Sequence, residues 1–139
     1  MLYQPLIVPT TPVAISINGF DSARRFFADH FADAPTTRES LFVAYLNGVK
    51  RCLDVSRHDG DEGGIDWPLR AILLNASRLD CSGLIVAHNH PSGDPTPSAS
   101  DRHATKRRAE GGAALDITLL DHLVFGGERC VSFRRMGLL

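Results

Sequence analysis

Thiol chemistry has little to work with in this chain. Its 139 residues include three cysteines, Cys52, Cys81 and Cys130, which are scattered and form no Cys-x-x-Cys pair. That argues against a disulfide framework and against a thiolate metal site, and makes a reducing cytoplasm the expected compartment. Neither sign of charge is in excess. A net charge of −1 gives no overall electrostatic case for binding nucleic acid or a membrane surface. Long apolar runs are missing: nothing approaches a membrane span. The start, Met1-Leu2-Tyr3-Gln4-Pro5, lacks the basic region and apolar core of a signal peptide. Internal repeats and low-complexity linkers are also absent. The remainder, 43% apolar and 22% charged, is ordinary for a globular chain of this length, for which one domain is expected.

Taken in order, residues 1–15 are apolar but broken by Pro5, Pro9 and Pro12, and read as an extended arm. From Asn18 a helix is expected, with Phe20, Ala23, Phe27 and Phe31 at helical spacing. Glu39 to Asn47 is an almost continuous apolar run and reads as a central strand. Asn47-Gly48 signals a hairpin, returned by a strand over Arg51 to Ser56, and His58 to Gly64 reads as a polar loop. Pro68 suits the first position of a helix whose apolar face is Leu69, Ile72, Leu73, Ala76 and Leu79. Gly83 to Val86 opens a buried strand. A helix from about Ser98 to Gly111-Gly112 carries alanines in place of large apolar residues and is expected to lie largely at the surface. Asp116 to Phe125, a Gly126-Gly127 turn and Arg129 to Phe133 complete a pair of strands, with a short tail from Arg134. The order α-β-β-α-β-α-β-β implies an α/β fold with a mixed sheet and helices on its faces.

The chemistry is concentrated after the Gly83 strand, in Ala87-His88-Asn89-His90-Pro91-Ser92-Gly93-Asp94-Pro95-Thr96-Pro97-Ser98-Ala99-Ser100-Asp101. Side chains two apart on a strand share a side, so His88 and His90 project together. Pro91 ends the strand, a Pro/Gly loop follows, and Ser98 opens a helix with Asp101 in its first turn. Two imidazoles and a carboxylate can thus meet, leaving a coordination position open, which suits a catalytic zinc ion with water as fourth ligand. A rival exists for Ser98 and Asp101: Ser-x-x-Asp before a helix is also a capping box. The two uses compete for the Asp101 carboxylate, and the histidines favour the ligand reading.

The spacing His-x-His, seven residues, Ser, two residues, Asp resembles the JAMM motif of JAB/MPN metalloproteases. The wording His-Asn-His-Pro-Ser-Gly-Asp-Pro-x-Pro-Ser resembles its RadC-like branch, the C-terminal domain of the bacterial family called DNA repair protein RadC. Leu119-Leu120-Asp121-His122, Ser132 and Gly137-Leu138 extend the resemblance, which runs from about Arg38 to Leu139. It implies a JAB/MPN, cytidine-deaminase-like three-layer architecture. It divides the chain into an arm and helix over residues 1–37, packed on a domain over residues 38–139, one structural domain overall. It implies that His88, His90 and Asp101 bind Zn²⁺, that Ser98 hydrogen-bonds the oxyanion, and that a glutamate on an early strand is the general base. Glu39 opens a buried strand and matches that place. Glu62 lies in a loop, Glu110 at a helix end and Glu128 at a turn; the plain alternative for Glu39 is an exposed residue at a strand start.

The other polar residues have plainer readings. Ser92 and Asp94 suit turn formation. Asn89 points away from the histidines, and His30, His58, His103 and His122 read as solvated or structural, with His122 a possible neighbour of the ligands. Arg102, Lys106, Arg107 and Arg108 with His103 read as a solvated basic helix face. Zinc nucleobase deaminases need His-x-Glu and Pro-Cys-x-x-Cys, neither of which is present, and His-Asn-His as a tripeptide is not the dispersed HNH nuclease motif. The resemblance therefore points to a zinc metallopeptidase cutting a peptide or isopeptide bond in an unidentified peptide or protein. A DNA-binding module is the first alternative, carried only by the basic helix. Longer relatives place a helix-hairpin-helix region ahead of this domain, and about 37 residues before Arg38 are too few for it. A non-catalytic zinc-binding scaffold is the other. Oligomeric state is left open by the sequence.

Overall fold

The computed structural model describes residues 15–60 and 68–139. Most of the expected arm, and the greater part of the polar loop with Glu62, lie outside the described residues. The element order is the expected one: α1 (Gly19–Phe31), β1 (Ser40–Leu46), β2 (Cys52–Asp59), α2 (Leu69–Arg78), β3 (Gly83–Asn89), α3 (Ala99–Ala113), β4 (Thr118–Gly126) and β5 (Arg129–Ser132). The five strands form one mixed sheet in the order β2-β1-β3-β4-β5. Only β3 and β4 run parallel, which is the pair joined through a helix, α3. The remaining neighbours are antiparallel.

The strict alternation of a strand divides the core in two. Leu41, Val43 and Tyr45 of β1, with Leu84 and Val86 of β3, pack on one face with Ile72 and Ala76 of α2. Phe42, Ala44 and Leu46, with Ile85 and Ala87, pack on the other with Ala23 and Phe27 of α1. Every residue of β1 is buried, because both faces of this strand are covered. Phe27 is fully enclosed, and burying such a side chain contributes about 1.5–3 kcal/mol toward holding α1 on the sheet.

Several sequence expectations are corrected. The second strand does not stop at Ser56: it pairs with β1 through His58 and Asp59, because Ser40 opposite holds Asp59 with its hydroxyl at 2.9 Å. The hairpin after β1 does form, but the left-handed residue is Lys50 (φ 64°), closing a longer loop in which the Asn47 side chain accepts from Val49 and Arg51 N–H groups. Helix α3 runs past Gly111-Gly112. Gly112 is there for proximity, since a Cβ at this position would sit 2.6 Å from the Ile117 carbonyl. Nor is α3 a surface helix throughout. Thr105, Arg108 and Gly112 form its buried stripe, so Arg108 leaves the expected basic face and only Arg102, His103, Lys106 and Arg107 stay exposed.

Candidate metal centre

Strand register brings three chemical residues to one edge of the α2/α3 face, and helix α3 adds a fourth. His88 continues the Leu84, Val86 side of β3, and His90 follows two residues on. Leu41 pairs antiparallel with His88, so Glu39, two residues earlier and on the same side as Leu41, falls beside His90. Asp101 enters from the first turn of α3. One ligand atom each from Glu39, His88 and His90 lies within 4.8 Å of the others. Asp101 meets the same two rings: Oδ2 is 3.0 Å from His90 Nε2, and Oδ1 is 3.3 Å from His88 Nε2. The two Nε2 atoms are themselves 3.0 Å apart.

The loop geometry fixes one of these rings. His90 Nδ1 is 2.7 Å from the Asp94 carbonyl, which can only accept, so Nδ1 carries a proton. A neutral His90 therefore presents a lone pair at Nε2, aimed at the Asp101 carboxylate and at His88 Nε2. The loop that supplies this carbonyl is itself held. Asp94 Oδ1 accepts from Thr96 N–H and its hydroxyl, Arg129 donates to the Gly93 carbonyl, and the loop crosses Gly126, where a Cβ would lie 2.6 Å from Pro95 N. The turn reading of Asp94 describes its side chain; its main chain carries the contact to His90.

The capping geometry does not turn the Asp101 carboxylate away from the histidines. The capping box is complete: Ser98 Oγ accepts from Asp101 N–H at 3.0 Å, and Asp101 Oδ2 accepts from Ser98 N–H at 2.8 Å. Oδ2 takes the cap and His90 together, while Oδ1 faces His88. The cap thus orients the carboxylate toward the rings. Ser98 Oγ accepts one hydrogen bond and keeps its proton for another partner.

Asn89 points away from the histidines, as expected, and supports the site from the other side. Its Oδ1 accepts from Ser40 N–H at 2.7 Å and its Nδ2 donates to the Arg38 carbonyl at 3.1 Å, clamping the chain on both sides of Glu39. His122 is buried, with Nε2 2.7 Å from His88 Nδ1. The RadC-like segment Leu119-Leu120-Asp121-His122 makes it a candidate neighbour of the histidines, and it does touch His88.

The electrostatics follow from the crowding. Burial would raise the Asp101 carboxyl, but contacts from His88, His90 and the Ser98 N–H hold it well below the usual carboxylate range. The hydrogen bond to Asp101 raises His90 against the opposing effect of burial, with the Asp94 carbonyl and the Glu39 charge adding to the rise. Burial, then the charges of His88 and Arg108, push His122 well below an ordinary histidine.

These donors suit a zinc ion. They are imidazole nitrogen and carboxylate oxygen, with three contacts of 3.0–3.3 Å, close to the roughly 3.3 Å edge of a tetrahedron built on bonds of about 2.0–2.1 Å. Lone pairs converging this closely need a proton or a cation between them. Beside His90 a groove of about 360 Å³ opens between Phe31, Pro35, Pro91 and Phe125.

The sequence profile of the RadC-like JAB domain matches residues 17–138. The chain belongs to the RadC-like JAB domain family. Family relatives include the UPF0758 protein STH371 of Symbiobacterium thermophilum, 41% identical over 73% of this chain and 44% of its own length. A UPF0758 protein of Aquifex aeolicus is 37% identical over 90% of this chain and 53% of its own, and one of Rhodobacter capsulatus is 40% identical over 79% and 52%. The chain spans about half the length of the curated relatives it matches. The mixed sheet with three helices agrees with a JAB/MPN domain. Among the described residues, no helix is long and apolar enough to cross a membrane.

Proposed function

We propose that this chain is a zinc-dependent hydrolase of JAMM type that cleaves a peptide or isopeptide bond. The observation that carries the reading is the meeting of His88 Nε2, His90 Nε2 and the Asp101 carboxylate at 3.0–3.3 Å, with Glu39 beside them on the same sheet face. His88, His90 and Asp101 would hold the metal. When bound, zinc makes water a nucleophile near neutral pH and polarises a carbonyl.

Glu39 directly precedes the fully buried strand β1, and Asn89 clamps the main chain on both sides of it, which fixes where its carboxylate starts beside His88 and His90 and suits it to proton transfer. It takes the proton of the attacking water and passes it to the leaving amine. Ser98 donates its spare hydroxyl proton to the carbonyl oxygen as charge builds there. The groove past Phe31, Pro35 and Phe125 opens on the α1 side of the sheet edge and meets the site at His90, so a peptide or protein substrate lying across that edge would place an apolar side chain in it. The compartment is the cytoplasm, in keeping with three free thiols.

The test is hydrolysis of amide-linked peptide and isopeptide substrates by the zinc-loaded protein. Activity that disappears in Glu39→Gln, with zinc still bound, supports the proposal. Undiminished activity in that variant removes Glu39 as the base. Zinc binding with no hydrolysis of any such substrate favours the non-catalytic scaffold. The DNA-binding alternative is weakened by the burial of Arg108, which takes one charge from the exposed basic face.

A further inference from the structure

The two histidines differ in how their protons are set. His90 faces a carbonyl, which can only accept, so its Nδ1–H is forced. His88 Nδ1 faces another imidazole, which can donate or accept. The ambiguity is passed on: His122 Nδ1 lies 2.5 Å from Thr105 Oγ1, a hydroxyl that can also do either. This row of Thr105, His122 and His88 is closed to water, each member being at most 1% exposed. His122 cannot turn away, because its ring lies flat on Phe133, 10° from parallel with centroids 4.6 Å apart.

With neutral rings only two proton orders fit the row. In one, Thr105 donates to His122, His122 donates to His88, and the His88 proton sits on Nε2, aimed at Asp101. In the other, His88 Nδ1–H donates to His122 and His122 Nδ1–H donates to Thr105. Only the second leaves the His88 Nε2 lone pair facing His90 and Asp101. We propose that His122 and Thr105 are positioning residues that hold His88 in this second order and so strengthen zinc binding. The inference rests on the reading above that His88 ligates through Nε2. Neither residue touches the metal: His122 fixes the ring, and Thr105, one turn after Asp101 on α3, accepts the last proton.

The test is zinc affinity of the full chain, measured by competition with a chromogenic chelator, together with ¹⁵N spectra of histidine-labelled protein. Thr105→Val, which keeps shape and removes the acceptor, should weaken zinc about 10–100-fold. Thr105→Ser should restore most of the loss, a rescue that a packing role for the methyl group does not predict. His122→Phe should match Thr105→Val. If it does not fold, Thr105→Val and the wild-type spectra carry the test. In zinc-loaded wild type, long-range couplings should place the protons of His88 and His122 on Nδ1. Thr105→Val binding zinc as tightly as wild type, or a His88 proton found on Nε2, overturns the inference while leaving the metal reading intact. A wild type that takes up no zinc overturns both.

Discussion

Replacing Arg108 with methionine should make the protein more stable. The residue is 2% exposed, and neither terminal nitrogen of its guanidinium has a hydrogen-bond partner among the described residues. Burial pulls its pKa well below the ordinary guanidinium value, down to about 10, against the attraction of Asp101. That drop corresponds to about 3 kcal/mol by which folding disfavours the charged form. The cost is present throughout the range below about pH 10 and is relieved only as pH rises from the folded value toward that of a free guanidinium. Methionine keeps the apolar stem of the side chain and removes the charge. The gain expected is therefore about 1–3 kcal/mol, allowing for imperfect packing. Urea denaturation of the zinc-free protein at pH 7 measures it, with an unchanged slope and a higher midpoint. A loss of about 1 kcal/mol or more in Arg108→Met would refute the reasoning, because it would mean that the folded chain gives the guanidinium a partner.

Three further outcomes follow from the geometry. Asn89→Ala removes both hydrogen bonds that clamp the Glu39 segment, so turnover of an amide substrate should fall at least tenfold while zinc content stays at the wild-type level; equal losses of both would show general damage instead. Gly126→Ala drives a methyl group into the main chain of the 91–97 loop, costing about 1–3 kcal/mol in denaturation and weakening zinc through the displaced Asp94 carbonyl. The His90–Asp101 contact makes zinc-free stability pH-dependent. His90 is raised, so its contribution is full below about pH 6.5 and is lost as pH rises through the folded value. Asp101 is lowered, so its contribution is full above about pH 3.8 and is lost only well below that. Buried His122 and half-buried His58, both lowered, act in the opposite direction as pH rises toward 6.5, so the contact is read by difference: the advantage of wild type over His90→Asn in zinc-free denaturation midpoints should shrink from pH 6 to pH 8.

Much of this architecture was legible because its signals are local. The continuous apolar run of β1, helical spacing in α1 and α2, and the prolines and glycines at the turns each act within a few residues, and all eight elements appear in the expected order. The errors fall where a distant contact decides. Nothing near Gly112 announces that the Ile117 carbonyl passes against it, and nothing near Arg108 announces that α3 turns this charge inward. At the site, His88, His90 and Asp101 were legible as a converging set because strand phase and one short loop bring them together. The side to which Asn89 points was legible from strand phase, but its partners were not, because they lie on a neighbouring strand distant in sequence. His122 needed the parallel register of β3 and β4, which sets it opposite Val86 and next to His88, and no pattern within its own segment specifies that register.

The most direct measurement is the metal content of the purified full chain by elemental analysis, with His90→Ala alongside. One zinc per chain in the wild type, and its loss in a variant that stays folded, is the predicted result. Zinc retained in full by His90→Ala, or a wild type that takes up none when supplied with an excess, would contradict the metal centre on which the hydrolase reading stands.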